Sequence, residues 1–122
     1  MIVLATTSHT LRATLTVGVS TTPLDLTAVY FDYLPQTTET QQRFASQEEK
    51  VSSATVTTMV AAPGADGIVR NITNLNVYNR DVTTATVTLL KLAGAVSTIQ
   101  VQQTLTTGKT LVYEHGTGWQ VL

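Results

Sequence analysis

The chain contains no cysteine, so no disulfide can staple its fold. Charge is scarce as well: only 12% of its 122 residues are charged, which is about half the usual share for a soluble domain. The net charge is −1, and the seven basic residues are scattered along the chain without forming a run. Because nucleic-acid binding needs a concentrated basic surface, we expect no nucleic-acid partner.

Long hydrophobic runs are also missing. No stretch approaches the roughly 18 consecutive apolar residues of a membrane span, so we expect no membrane partner. The segment Met1–Thr7 contains no basic residue and no long apolar run, so we expect no secretory signal. A length of 122 residues corresponds to a single domain, residues 1–122, that can bury a core without covalent staples.

The composition of the chain is rich in β-branched residues. Threonine makes up roughly a fifth of the chain, and threonine and valine both favour pleated sheet. Apolar residues recur with a period of two almost everywhere, which is typical of half-buried strands. The pattern predicts eight short strands, at residues 11–19, 26–34, 54–60, 68–78, 85–89, 99–105, 110–113 and 119–122. Many short strands separated by turns predict an all-β, antiparallel sandwich of the jelly-roll or immunoglobulin-like kind.

Two of these strands carry further information. Leu26–Leu34 is apolar at both parities, which predicts a central strand covered on both faces. In Ile68–Tyr78 the apolar positions change parity midway. We therefore expect a β-bulge near Thr73-Asn74, because one extra residue brings both halves onto the same face.

The segment Pro35–Ser53 interrupts the strand pattern and holds the densest charge in the chain. It is either a mobile loop or, since Thr38 and Gln41 resemble a capping box, a short helix from about Glu39 to Lys50. Its large apolar side chain is Phe44. We interpret residues 36–52 as a projecting loop or arm that docks on a partner through Arg43 and Phe44.

No constellation of residues points to catalysis. Gly108-Lys109-Thr110 resembles the end of a phosphate-binding loop, but Gln103 occupies the position of the required earlier glycine. His9 and His115 fall in turns and lack metal-ligand spacing. Asp32 lies in the most apolar strand; it is either an acid with a raised pKa or, as we favour, a carboxylate that bonds a backbone N–H or a tyrosine hydroxyl. We expect no enzyme activity, no catalytic residue, no cofactor and no metal.

Three strings resemble those of small β-sandwich virion proteins of tailed bacteriophages. They are Thr57–Pro63, Asn74–Asp81 and the closing segment Leu111–Leu122. The resemblance covers about the last 70 residues of the chain, and its motifs are structural rather than chemical.

This resemblance implies a capsid-decoration (cement) protein that binds the major capsid protein and stabilises the head. Such proteins usually form trimers on the capsid surface, so the resemblance also implies a homotrimer located in the virion after synthesis in the host cytoplasm. In this interpretation the N-terminal segment is a second contact beside the arm, through Ile2, Val3 and Leu4.

An accessory protein of a head or tail fibre is the alternative that the same strings imply. Such a module binds a receptor or a carbohydrate, and aromatic rings stack on sugars. The candidate stacking platform is formed by Tyr113 and Trp119 of the closing hairpin.

Overall fold

A computed structural model describes residues 2–17, 19, 21–33 and 42–122, with only the backbone of residues 17, 42 and 43. β-Strands account for most of the described chain, and none of the described residues is helical. Ten strands follow one another: β1 (Ile2–Leu4), β2 (His9–Val17), β3 (Leu24–Tyr33), β4 (Gln42–Val51), β5 (Thr57–Val60), β6 (Val69–Tyr78), β7 (Ala85–Ala93), β8 (Val96–Leu105), β9 (Thr110–Glu114) and β10 (Gly118–Val121).

The strands form two antiparallel sheets that pack face to face. The six-stranded sheet has the order β10-β9-β6-β3-β4, with β1 also paired to β6, and the four-stranded sheet has the order β5-β2-β7-β8. Every strand pair is antiparallel. The expectation of an all-β antiparallel sandwich is therefore confirmed.

The core consists of the inward-facing side chains of both sheets. In β2, in the first half of β3 and on either side of the bulge in β6, the buried side chains occur at alternate positions, as the period of two predicts. The largest fully buried side chains are Leu4, Leu11, Leu15, Leu24, Leu26, Met59, Ile72, Leu75, Leu89, Leu105, Leu111 and Val51. Each contributes about 1.5–3 kcal/mol relative to an exposed position.

Strand β6 contains the predicted bulge. Asn74 pairs with Val29 and Ile72 pairs with Tyr30, so Thr73 is the extra residue between them. The bulge returns the second half of β6 to the phase of its first half. It also divides the opposite side of the strand, where β1 pairs with the first half and β9 with the second.

Residues 42–51 form a strand, which corrects the expected loop or helix over that stretch. Strand β4 pairs with β3 in continuous register from Tyr33↔Gln42 to Leu24↔Val51. Val51 is buried in the core, whereas most described side chains of β4 are polar and partly or fully exposed. Residues 36–41 of the predicted arm lie outside the described residues.

Strand β3 lies between β6 and β4, but only its inner face is covered. Leu24, Leu26 and Ala28 are buried, whereas the outward-facing Val29 is 36% exposed. The expectation that both faces of this strand are covered is therefore wrong within the described chain. Its outer apolar residues are left facing solvent.

Candidate partner-binding surface

A row of side chains in register crosses the outer face of the six-stranded sheet. Val3 of β1 pairs with Asn71 of β6, Asn71 pairs with Phe31 of β3, and Phe31 pairs with Phe44 of β4. Residues in register on neighbouring strands present their side chains on the same face. With strands about 4.8 Å apart, Val3 and Phe44 are separated by about 14 Å. The row therefore brings together two residues that are 41 positions apart in sequence.

Phe44 is the most prominent member of this row. Its side chain is 70% exposed, and its ring packs at 5.6 Å from the ring of Phe31 in a tilted arrangement. Val29, two residues before Phe31 on the same face of β3, is also exposed. We call Val29, Phe31 and Phe44 the phenylalanine patch. An exposed apolar group of this kind is typical of a surface that binds another macromolecule.

Polar and charged side chains flank the phenylalanine patch along the same face. Ser46 and Glu48 follow Phe44 at alternate positions of β4 and are exposed. At the far end of the face, Asp25 forms ion pairs with Lys50 and with Arg80. An apolar centre beside a polar margin is the usual anatomy of a protein–protein interface.

The N-terminal candidates divide between the core and the surface. Ile2 is 5% exposed and Leu4 is 0% exposed, because both face the core when β1 pairs with β6. Val3 points to the outer face and is partly exposed. This placement corrects the expectation that the whole segment is free to reach a partner. Of the three, Val3 alone lies on the phenylalanine-patch side of the sheet.

Arg43 lies on β4 and is paired with Asp32 of β3 in the register. Its side chain lies outside the described residues. A role for Arg43 in partner binding stays a prediction.

Tyr113 and Trp119 form a separate aromatic pair. They are in register on β9 and β10, and their ring centroids are 4.9 Å apart. Tyr113 is only 4% exposed, and Trp119 is partly buried against the core. Strand β9 is separated from β4 by β6 and β3. The structure therefore does not bring this pair together with Phe44.

Asp32, the candidate acid, is bound by an arginine. Arg70 Nε and Nη2 donate to the two Asp32 carboxylate oxygens at 2.7 and 2.9 Å. This hydrogen bonding raises the pKa of Arg70, so the guanidinium keeps its charge. The expected partner, a backbone N–H or a tyrosine hydroxyl, is wrong. The sequence spacing holds no signal for this pair, since it arises from the Asp32↔Arg70 register between β3 and β6.

Arg70 also connects the strands to a loop. Its Nη1 donates to the carbonyl oxygen of Ala61 at 2.7 Å, and its guanidinium lies 4.2 Å from the ring centre of Tyr30. The arginine thus fastens the segment after β5 to β3 and β6. This arrangement is a structural clamp, because both carboxylate oxygens of the acid accept hydrogen bonds from one cation.

Of the remaining chemical candidates, Gly108 and His115 occupy turns, as expected, whereas His9 is the first residue of strand β2 and not a turn residue. Nδ1 of His9 accepts a hydrogen bond from the backbone N–H of Ala5 at 3.1 Å. Gly108 has a φ of 81° in the turn between β8 and β9, a conformation that favours glycine. His115 lies exposed in the β9–β10 turn. Over the described ranges, no group of three or more histidine, aspartate and glutamate side chains is placed to hold a metal ion.

Comparisons with known proteins identify no relative. No protein-family model, no curated protein and no solved structure matches this chain. In the part of the chain that the structure describes, there is also no helix long and apolar enough to cross a membrane.

Proposed function

We propose that this protein is a non-enzymatic structural protein of a tailed-phage virion. It decorates the capsid, and the phenylalanine patch is its contact with the major capsid protein. The resemblance of its three strings to small virion proteins supports the proposal. The observation that carries it is the exposure of Phe44, at 70%, beside Phe31 and Val29 on a sheet face with a polar margin.

The strength of such a contact follows from the apolar area. Burying a large apolar side chain completely contributes about 1.5–3 kcal/mol, so the phenylalanine patch contributes about 3 kcal/mol from its exposed fraction. A micromolar complex needs about 8 kcal/mol. The polar margin and the partly exposed Val3 must therefore add to the contact. Simultaneous attachment of linked copies to a repeating shell raises the total further.

Phe44→Ser is expected to weaken capsid binding at least tenfold, because a serine removes the largest exposed apolar side chain of the patch. The fold is retained, since only an exposed cross-strand ring contact is lost. Binding is measured by co-sedimentation with empty capsids assembled from a tailed-phage major capsid protein. Val82→Ser is the matched control, because Val82 is 74% exposed and lies in the β6–β7 loop.

The possible results test the proposed contact site and the proposed decoration role separately. Equal binding by Phe44→Ser and the unsubstituted protein would exclude the phenylalanine patch as the contact. Failure of the unsubstituted protein to pellet with capsids would exclude the decoration role. A point substitution is needed here because deleting residues 36–52 would remove β4 and the buried Val51.

A fibre module that binds a carbohydrate remains the alternative proposal. Its stacking platform would rest on Trp119, since the ring of Tyr113 is covered. The chain has a single tryptophan, so a sugar that stacks on this ring is expected to change the fluorescence of the protein. A titration with host polysaccharide that leaves the fluorescence unchanged would exclude this alternative.

A further inference from the structure

Strand β8 forms one edge of the four-stranded sheet. One side pairs with β7, and no strand in the described part of the chain pairs with the other side. Along an edge strand, alternate residues direct their backbone N–H and C=O groups outward, where another strand can bind them. At ten residues, β8 presents a long free edge.

The composition of β8 leaves this edge unprotected. Proteins usually protect edge strands with charged side chains, with proline, with a β-bulge or by keeping the strand short, and of these devices β8 has only the bulge at Gln100. The strand contains neither charge nor proline, and the uncharged stretch around it extends from residue 92 to residue 108. Two large apolar side chains are exposed on it, Val96 at 64% and Ile99 at 62%.

The other edges of the two sheets are protected. Strand β4 has ten residues, but its sequence includes Arg43, Glu48, Glu49 and Lys50. The strands β1, β5 and β10 have three, four and four residues. Strand β8 is thus the edge, among those described, that combines length, exposed apolar side chains and absence of charge.

We infer that β8 pairs antiparallel with β8 of a second copy of this chain across a two-fold axis. The contact joins two four-stranded sheets into one sheet of eight strands. Because β8 carries no charge, pairing it with β8 of the second copy brings no like charges opposite one another. Antiparallel pairing of the β8 segments on either side of the bulge at Gln100 supplies roughly six to eight main-chain hydrogen bonds, which lies within the range that a stable interface typically carries.

The bulge in β8 does not prevent such pairing. Leu89 pairs with Val101 and Leu90 with Ile99, so Gln100 is the extra residue. Strand β6 contains a similar bulge, and the residues on either side of it still pair on the far edge, with β1 before the bulge and with β9 after it. The bulge therefore divides the β8 contact into two segments and leaves both able to pair.

The inference is independent of the proposed capsid role. It also predicts a dimer in place of the trimer that the resemblance implies. A β8–β8 contact uses the same surface on both copies, so two copies complete the assembly. The phenylalanine patch lies on the outer face of the other sheet, so it stays accessible in the dimer.

The test is the molar mass in solution by light scattering over a concentration series. The unsubstituted protein is expected to approach twice the chain mass of 13.1 kDa. Ile99→Lys is expected to raise the dimer dissociation constant at least thirtyfold, because the pairing brings two added charges into one strand interface. Val82→Lys introduces the same charge at a comparably exposed valine outside the strands and is expected to leave the mass unchanged.

Amide hydrogen exchange locates the contact. Protection of the β8 amides is expected to rise with concentration in the unsubstituted protein and not in Ile99→Lys, while circular dichroism shows that both are folded. A monomer or a trimer at all concentrations would overturn the inference, as would a dimer that persists in the double variant Val96→Lys, Ile99→Lys. None of these results bears on capsid pelleting, which tests the proposed function separately.

Discussion

Asp81→Ala is expected to lower the free energy of unfolding by about 3 kcal/mol. Asp81 is 0% exposed and lies in the β6–β7 loop. Its Oδ1 accepts hydrogen bonds from the backbone N–H groups of Thr21 and Thr22 at 3.1 and 2.9 Å, and its Oδ2 accepts from Thr83. Alanine leaves these donors without their acceptor and separates the β2–β3 loop from the β6–β7 loop.

Urea unfolding followed by circular dichroism measures this effect. Asp66→Ala is the matched control, because Asp66 also accepts hydrogen bonds from a loop threonine, Thr7, but is exposed to water. Its removal is expected to cost less than about 1 kcal/mol, since water replaces the carboxylate. Equal losses in the two variants would show that the buried network does not stabilise the fold.

Arg70→Met is expected to lower the free energy of unfolding by about 3–5 kcal/mol. The side chains of Arg70 and Asp32 are only 10% and 17% exposed. Methionine preserves much of the side-chain volume but leaves the carboxylate of Asp32 poorly solvated and without its cation. It also releases the carbonyl oxygen of Ala61, to which Arg70 donates.

Two further variants separate charge from packing. The double variant Arg70→Met, Asp32→Leu is expected to recover a large part of the loss, because no unpaired charge remains. Lys50→Met breaks the exposed ion pair with Asp25 and is expected to cost less than about 1 kcal/mol. If the double variant is no more stable than Arg70→Met alone, the loss comes from the loop contact and not from the orphaned carboxylate.

The sequence predicts the strands that carry a clear apolar alternation. All eight predicted strands exist, and the parity change in Ile68–Tyr78 correctly places the bulge at Thr73. These predictions succeed because apolar residues must occur at every second position of a strand that has one buried face, whichever strands lie beside it. An extra residue must then appear wherever the parity changes within a strand.

Two strands, β1 and β4, are missed for opposite reasons. Strand β1 is too short to show a period. The sequence therefore favours a surface contact for its apolar residues, whereas two of them face the core. In β4 the apolar residues Phe44 and Val51 face opposite sides of the sheet, and the positions between them are mostly polar. Strand β4 forms because one edge of β3 is free to pair with it. The cause therefore lies in β3 and not in the sequence of residues 42–51.

The candidate site is predicted in part. Phe44 is recognisable from the sequence as an isolated apolar residue among polar neighbours. Its contact with Phe31 is not, because the apolar pattern of Leu26–Leu34 predicts a strand that is covered on both faces. Cross-strand register decides which residues share a row.

The amino-acid pattern alone predicts an all-β sandwich with little charge and many hydroxyl groups, in which local alternation sets the buried face of most strands. Which surfaces remain open depends on how the strands pair in the folded protein. Pairing between distant segments places Phe31 beside Phe44 on an uncovered face and leaves β8 at an edge. The apolar alternation within a strand shows which of its side chains face the core. Whether its edges are paired depends instead on which other strands lie beside it.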